Sequence, residues 1–363
     1  MKYGLFMMPL HPPERDKLEG YRRDIETLVL ADRLGYSEAW IGEHFTIPWE
    51  NITAPDLLIA NVLPRTERIV LGTGVVLLPM HDPREVAMRI AFLDHLAEGR
   101  FYFGIGSGGA PTDFELWEID HHAGEHRRRT REAIDIILRI WQEDGQFEYR
   151  GQFWHVRMPR PRPDIPLYHH MRPYQRPHPP IAVAGLHRWS ETLALAGERG
   201  WIPMSINYLP PHQLLTHWEA VEAGAQRAGR VADRRQWRIA REIYVAETDA
   251  RARREVLEGP MRRAFEQYMR NILASLGSLD LYKVDPEMPD EAVTAEYLVD
   301  NDIWIVGAPD TVTEKLRRLY EAVGGFGTIL QIAYDWDPWE RWINCMELLA
   351  KEVMPNLAGL EPG

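Results

Sequence analysis

Residues Arg68–Gly108, RIVLGTGVVLLPMHDPREVAMRIAFLDHLAEGRFYFGIGSG, predict a strand, a helix and a second strand. The run IVLGTGVVLLP is apolar and β-branched without polar alternation, which is typical of a strand buried on both faces of a parallel sheet. The helix begins at Pro83, with Asp82 as its candidate N-cap, and Gly99 ends it. Both strands end in glycine-rich turns. The unit therefore indicates a right-handed βαβ element with its functional residues at the carboxyl ends of the strands.

Strand-like segments of this kind alternate with amphipathic helical stretches along the whole chain. They are residues 2–9, 37–45, 69–79, 100–106, 181–185, 201–207, 237–247 and 327–334. Eight such strands predict a (β/α)8 TIM barrel of the α/β class, a single domain over residues 1–363, and this count favours the barrel over a doubly wound open sheet.

Three stretches interrupt the barrel pattern, and we expect them as insertions at the carboxyl-terminal face. Residues 107–124 read as a long loop, and residues 147–180 as a small hairpin followed by a proline-rich excursion. Residues 277–300 begin with a segment, 277–297, that has no periodicity and is a candidate mobile segment. The stretch before it, 249–276, reads as one long basic helix.

Composition excludes several classes of protein. The net charge of −12 argues against a nucleic-acid or anionic-membrane partner, and no apolar run approaches transmembrane length. Cys345 is the only cysteine, so no disulfide framework exists, which favours a cytoplasmic setting and a buried, inert thiol. No Cys/His cluster has metal-ligand spacing, and the pair His122 and His126 reads as incidental, so no metal site is expected.

Two glycine-rich segments are candidate ligand sites. GIGSGG, residues 104–109, lacks the spacing of a dinucleotide fingerprint, and no helix is predicted directly after it. We interpret Gly106 and Ser107 as a strand end that lets a flat ligand approach the backbone, the alternative being a sharp turn. Thr73, Gly74 and Val75 lie within a predicted central strand, where glycine is costly. A close-approaching ligand or an irregular backbone would explain it.

Two further sites follow from position in the barrel. His44 ends the second strand, which places an imidazole at the reactive face, although a lone histidine is often structural. The segment GLHRWSET, residues 185–192, joins the fifth strand to a helix whose first residues include Ser190. With Arg188 just before them, free amides and a hydroxyl indicate a phosphate site, the alternative being an ordinary N-cap by Ser190.

The chain resembles the bacterial luciferase-like flavin monooxygenases. The resemblance is carried by LP-x-H-x-P-x-x-x-A from Leu78 and by LDHLAEGRFYFGIG, and it extends through SEAWIGEHF, IAVAG, SETLALAGERG and VGAPDTVTEKL over nearly the whole sequence. Within the family, WENITAPDLLIA and YLVDNDIWIVGAPDTVTEKL are most similar to the diketocamphane and limonene monooxygenases, the type II Baeyer–Villiger group.

The resemblance implies a TIM-like barrel that uses FMN, as FMNH2 supplied by a separate flavin reductase, and O2 to form a C4a-(hydro)peroxyflavin. The substrate would be a small apolar molecule such as a cyclic ketone, a terpenoid or an aldehyde. The alternatives are a deazaflavin (F420)-dependent oxidoreductase on the same fold and a non-catalytic flavin-binding relative. A homodimer through the helices around the second and third strands is also implied.

The resemblance assigns residues as well. His44 matches the family's second-strand histidine, with an acid–base or hydrogen-bonding role, and the family's non-prolyl cis peptide falls at Gly74 and Val75. These two residues would form the wall behind the isoalloxazine ring, and Thr73, Gly74 and Val75 are expected as cofactor contacts. Cofactor contacts at the fourth and fifth strand ends fall on Gly106, Ser107, Ala184, Gly185, Arg188 and Ser190. Ser107 stands where luciferase has a phosphate-binding arginine, so another cation, with Arg188 the nearest candidate, would have to replace it.

Overall fold

The predicted (β/α)8 barrel is confirmed in the computed structural model, which describes residues 1–160, 162, 164–165 and 169–362. Its eight strands are β1 (Lys2–Met7), β2 (Glu38–Ile41), β3 (Val70–Thr73), β4 (Phe101–Gly106), β5 (Ile181–Gly185), β6 (Ile202–Ser205), β7 (Arg238–Arg241) and β8 (Thr328–Ile332). All neighbours pair in parallel, and the ring closes between β8 and β1, where Lys2 pairs with Thr328. A short strand, Val76–Leu77, continues the line of β3 and pairs with the end of β4.

Helices surround this ring, and most begin where the sequence predicts. They are α1 (Lys17–Leu34), α2 (Pro55–Val62), α3 (Pro83–Leu96), α4 (Pro111–Leu116), α5 (Glu125–Gln142), α6 (Glu191–Arg199), α7 (Pro211–Arg227), α8 (Asp249–Glu258), α9 (Pro260–Ala264), α10 (Arg270–Ser275), α11 (Ala295–Asp300), α12 (Pro309–Ala322) and α13 (Glu340–Leu348). As predicted, Asp82 caps α3 by accepting the N–H of Arg84.

Trp40 explains the glycines of the opening stretch. Its side chain is fully buried, and a Cβ on Gly72 would lie 2.7 Å from its ring, while one on Gly74 would lie 2.8 Å from its Cβ. The indole N–H donates to Glu38, which forms a buried ion pair of 3.0 Å with Arg238. Glycine in β3 therefore makes room for a tryptophan from β2.

The prediction of one strand over 237–247 is wrong. β7 ends at Arg241, and after Glu242 the chain forms a separate strand, Ile243–Val245, which pairs in parallel with Ile305–Gly307 outside the barrel. The break occurs at Glu242 because its backbone carbonyl already accepts the N–H of Ile305. A strand-like run does not reveal which sheet each half of it joins.

The single helix predicted over 249–276 is also wrong. It breaks at Gly259 and Pro260 into α8 and α9, and a π-helical turn, Phe265–Met269, then leads into α10. Proline has no N–H to continue the ladder, and Gly259 is extended, so the chain turns there.

The three excursions contain more structure than their sequences indicate. The prediction that residues 107–124 form a loop, with no helix directly after GIGSGG, is wrong. Helix α4 begins at Pro111, two residues after this turn. Residues 277–300 form two 3₁₀ turns and α11, with Leu279, Leu281 and Tyr282 buried against the core. The predicted hairpin is confirmed as strands Glu148–Arg150 and His155–Arg157, whereas the prediction for the proline-rich stretch falls partly on residues 161, 163 and 166–168, outside the described residues.

Cys345 is buried, as predicted. Burial raises the pKa of its thiol to about 12, so the reactive thiolate is scarce at neutral pH.

A buried ion network joins the first loop to the exit of β8. His11 lies 3.0 Å from both Asp24 and Asp335, and Arg15 and Arg23 also pair with Asp335, at 2.7 and 2.9 Å. Burial alone would lower the pKa of His11, but its hydrogen bonds to the two carboxylates raise it to about 9. The network therefore holds a charged imidazole inside the protein.

We expect His11→Ala to lower the free energy of unfolding by about 3–5 kcal/mol near pH 6, because two buried carboxylates lose a partner. The native pKa of about 9 lies above the unfolded value of 6.5, so this contribution is complete below pH 6.5 and declines as pH rises toward 9. Urea denaturation across this range checks it, with the exposed His212→Ala as control. A difference from wild type that does not shrink with rising pH would contradict it.

Candidate active site

His44 lies at the carboxyl-terminal mouth of the barrel, as its position after β2 predicts. Its Nδ1–H donates to Oδ2 of Asp113 at 2.9 Å, and its Nε2 lies 3.2 Å from Oε2 of Glu50. Glu50 in turn accepts the Tyr268 hydroxyl at 2.7 Å. Asp113 comes from α4, Glu50 from the loop before α2, and Tyr268 from the π-helical turn. Four separate segments therefore build one acid–base array.

Asp113 also fixes the loop that carries His44. Its Oδ1 accepts the backbone N–H of Phe45 at 3.2 Å, and both the N–H and the hydroxyl of Thr46, at 2.8 and 2.6 Å. Burial opposes its ionisation, but the hydrogen bonds from His44 and Thr46 outweigh burial and hold the pKa of Asp113 below its ordinary value. The group is therefore a carboxylate that orients the imidazole.

The charges around His44 decide its protonation. Burial alone would lower the pKa of His44, but the hydrogen bond to Asp113 and the charge of Glu50 together raise it above its ordinary value. Burial raises the pKa of Glu50, against the charge of His44. A histidine that carries a proton beside a carboxyl group that is easily protonated can donate and recover a proton at the barrel mouth.

The cis peptide expected at Gly74 and Val75 is confirmed. Behind it, buried Glu43 accepts the N–H of Leu77 at 2.7 Å and the Nε2–H of His81 at 3.0 Å. Val75 packs on a small apolar cluster that lines this side of the mouth, made of Phe45, Leu77, Met80, Phe114, Trp117 and Ile119. The result is a rigid apolar wall next to the His44 array.

Two of the residues predicted to contact the cofactor, Thr73 and Gly106, have structural roles within the protein. The Thr73 hydroxyl donates to the carbonyl of Gly104 at 2.8 Å and accepts its N–H at 2.9 Å, so it joins β3 to β4 and is fully buried. A Cβ on Gly106 would lie 2.4 Å from Cγ2 of Val75. Any side chain at position 106 would therefore clash with Val75, so glycine is required there to accommodate it.

The exits of β4 and β5 lie side by side, because Ile105 pairs with Val183. This pairing brings together the predicted residues Gly106, Ser107, Ala184 and Gly185. The Ser107 Oγ accepts the hydroxyl of Thr130 on α5 at 2.9 Å.

The helix that follows β5 offers hydrogen-bond donors at the same edge. Ser190 is the N-cap of α6, accepting the N–H of Leu193, and a Cβ on Gly185 would lie 2.5 Å from Leu193. Arg188 bonds to Gln213 at 2.8 Å and to the carbonyl of Asp280 at 3.2 Å. Its contacts are therefore with α7 and the 277–300 excursion.

Sequence reasoning missed Asp113, Glu50 and Tyr268. Nothing in their local sequence separates them from surface acids or core aromatics, since Asp113 reaches His44 across 69 residues. Among the residues described, no group of three or more His, Cys, Asp or Glu side chains could hold a metal ion, and no helix there is long and apolar enough to cross a membrane.

A closed (β/α)8 barrel with a histidine–carboxylate array beside an apolar wall at its carboxyl-terminal face defines an enzyme that acts on small molecules. The chain belongs to the luciferase-like monooxygenase family, which matches residues 1–325.

Two curated relatives are 34% identical to the chain. One is 3,6-diketocamphane 1,6-monooxygenase of Pseudomonas putida, with 98% of each chain covered. The other is 4-hydroxyprotoasukamycin monooxygenase of Streptomyces nodosus subsp. asukaensis, with 99% of this chain and 93% of the relative covered. A solved structure, the oxygenating constituent of 3,6-diketocamphane monooxygenase in complex with FMN, is 35% identical over 98% of both chains, with a TM-score of 0.91.

Proposed function

We propose that this protein is the oxygenase component of a two-component monooxygenase, which takes reduced FMN from a separate reductase and inserts an oxygen atom from O2 into a small apolar carbonyl compound. The observation that carries the proposal is the Asp113–His44–Glu50 array beside the wall at Val75. Membership of the family supports it, as does the FMN in the similar diketocamphane enzyme.

The residues present fit a bound flavin phosphate. Ser107 offers a hydroxyl proton, since its oxygen accepts the Thr130 hydroxyl, and the amides of Glu191 and Thr192 in the first turn of α6 have no intrahelical acceptor. Nδ1 of His126, next to Thr130 on α5, is buried without a partner among the described residues. These donors are neutral, and Arg188 is engaged elsewhere, which suits a flavin that is held loosely and exchanges.

Reduced flavin, when bound, supplies the electrons that activate O2. The chain's own residues do the rest. Val75 and its apolar cluster would contact the flavin and the substrate, and their apolar side chains would exclude water from this side of the mouth. The raised pKa of His44 favours its protonated form, whose Nε2–H lies 3.2 Å from Glu50 and could donate a proton to a substrate oxygen, while Asp113 fixes the ring through Nδ1.

The test supplies FMN, NADH and an unrelated flavin reductase to the purified protein. We expect O2-dependent products from a panel of cyclic ketones, terpenoids and aldehydes, with one oxygen atom of each product derived from labelled O2. The absence of any such product across the panel would contradict the proposal. A preference for F420 over FMN, with hydride transfer that needs no O2, would decide for the deazaflavin alternative.

Apolar residues on α2 and α3 support a homodimer. Leu57 on α2 and Phe92 and Leu96 on α3 are each more than half exposed, and the two helices are held together by Arg89 and Asp56 at 2.6 Å. Large apolar side chains on one exposed face are typical of an interface. We infer that two copies pack through this face.

Replacing Phe92 by arginine should therefore convert a dimer to a monomer, because two copies of the charge would be buried at a twofold interface. Light scattering after gel filtration measures the mass. The control is Val231→Arg, at a 97% exposed loop position, which should leave the mass unchanged. A dimer that survives Phe92→Arg with unchanged affinity would place the interface elsewhere.

A further inference from the structure

A second buried carboxyl group lies at the barrel mouth, where β7 ends. Glu242 is 2% exposed, and its Oε1 accepts a hydrogen bond from the Asn207 amide and a longer one, 3.5 Å, from the Tyr334 hydroxyl. Its Oε2 is buried and has no hydrogen-bond partner among the residues that the structure describes. Leaving such an atom unpaired is costly, so the geometry indicates a partner that arrives with a ligand.

The surroundings of Glu242 favour its protonated form. The titratable groups around it are Arg241, the last residue of β7, Tyr208 after β6, Tyr334 after β8 and Tyr282 in the 277–300 excursion. No cation in the described part of the chain lies within ion-pair distance of it. Burial therefore outweighs the more distant charge of Arg241 and raises the pKa of Glu242 to about 7.

The position of that proton follows from the hydrogen bonds. Oε1 already accepts from Asn207 and Tyr334, which both donate, so the proton belongs on the unpaired Oε2. In its neutral form Glu242 thus presents one free O–H donor.

Glu242 and the His44 array share the same mouth. The charges of Glu50 and Glu242 both raise the pKa of Tyr208 and of Tyr334, and the Tyr334 hydroxyl also donates to Glu242. Glu50 is the residue 3.2 Å from Nε2 of His44. His44 follows β2 and Glu242 follows β7, so both residues lie at the carboxyl-terminal end of the parallel barrel.

We propose that Glu242 recognises the carbonyl oxygen of the substrate by donating a hydrogen bond to it from Oε2. The assignment rests on the proposed function, in which the substrate is an apolar molecule whose polar atom is a carbonyl oxygen. That oxygen can only accept, and Glu242 offers a donor that no protein group uses. The same hydrogen bond draws electron density from the carbonyl carbon and makes it easier to attack. Glu242 thus selects carbonyl compounds over hydrocarbons of the same shape.

The experiment compares the binding of camphor with that of camphane, its parent hydrocarbon, by calorimetry with oxidised FMN and no reductant, so that nothing reacts. We expect wild type to bind the ketone about 10-fold more tightly near pH 6, and Glu242→Ala to lose that preference without weakening camphane binding. Glu242→Gln keeps an N–H donor, so it should keep the preference. In wild type the preference should fall above about pH 7, whereas in Glu242→Gln it should not change with pH.

The matched control is Glu255→Gln, at another buried glutamate that accepts a tyrosine hydroxyl, from Tyr244 at 2.7 Å, and it should leave the ketone preference unchanged. Equal binding of ketone and hydrocarbon by wild type, or a preference that survives Glu242→Ala, would overturn the assignment. If the preference depends on Glu242 but no oxygenated product forms, the proposed function fails alone. If products form while the preference ignores Glu242, only the assignment fails.

Discussion

Replacing His44 by alanine is expected to lower kcat by about 10²–10⁴-fold, the range for loss of a positioned acid–base group, while changing the affinity for FMN by less than about threefold. The reason is geometric. The imidazole is held by Asp113 and Glu50 at the mouth, whereas the residues that fit the flavin phosphate lie at the exits of β4 and β5. Single-turnover product formation measures the first effect, and fluorescence quenching of FMN measures the second.

Two outcomes would contradict this division of roles. An equal loss of flavin affinity and turnover would make His44 a structural residue, and an unchanged kcat would leave it outside the chemistry. His212→Ala, an exposed histidine on α7, serves as the control and should match wild type in both measurements. A measurable loss of turnover also separates an enzyme from a flavin-storage relative, for which His44 would have no reaction to serve.

The barrel could be predicted from the sequence because its strands are buried on both faces. Uninterrupted apolar runs such as those of β3 and β5, each followed by an amphipathic helix, leave few alternatives. The predictions fail where contacts with distant parts of the chain, and not the local sequence pattern, determine the structure. The run 237–247 reads as one strand, and nothing in it marks Glu242 as the point where the chain leaves the barrel for the second sheet. The Gly259–Pro260 pair, by contrast, is a breaker visible in the sequence that should have divided the predicted long helix.

The candidate site was predictable only in part, for a similar reason. His44 follows from its place after β2, and the irregular backbone at Gly74 follows from a glycine in a central strand. Asp113 and Glu242 do not, because what makes them chemically distinct is burial, which depends on α4 folding over the mouth and on β7 turning away from the barrel.

Asp113→Asn should have nearly as large an effect as the loss of His44. The asparagine can still accept the N–H groups of Phe45 and Thr46 through Oδ1, so the loop keeps its shape. The asparagine NH2 group then stands where Oδ2 accepted the Nδ1–H of His44, and this group can only donate. A neutral His44 would therefore carry its proton on Nε2 and not on Nδ1. We expect kcat to fall by about 10²–10⁴-fold, the order seen when a carboxylate that orients a catalytic histidine becomes an amide.

The pH dependence separates this explanation from simple loss of structure. Asp113 raises the pKa of His44, so removing its charge should move the ionisation of His44 to lower pH. His44 would then lose its proton at a lower pH than in wild type, and the inflection of the pH–rate profile that reports His44 should shift in the same direction. Imidazole NMR titration provides a readout independent of activity. An inflection that stays in place while kcat falls would show that Asp113 acts through the loop at Phe45 and Thr46 and not through the charge on the histidine.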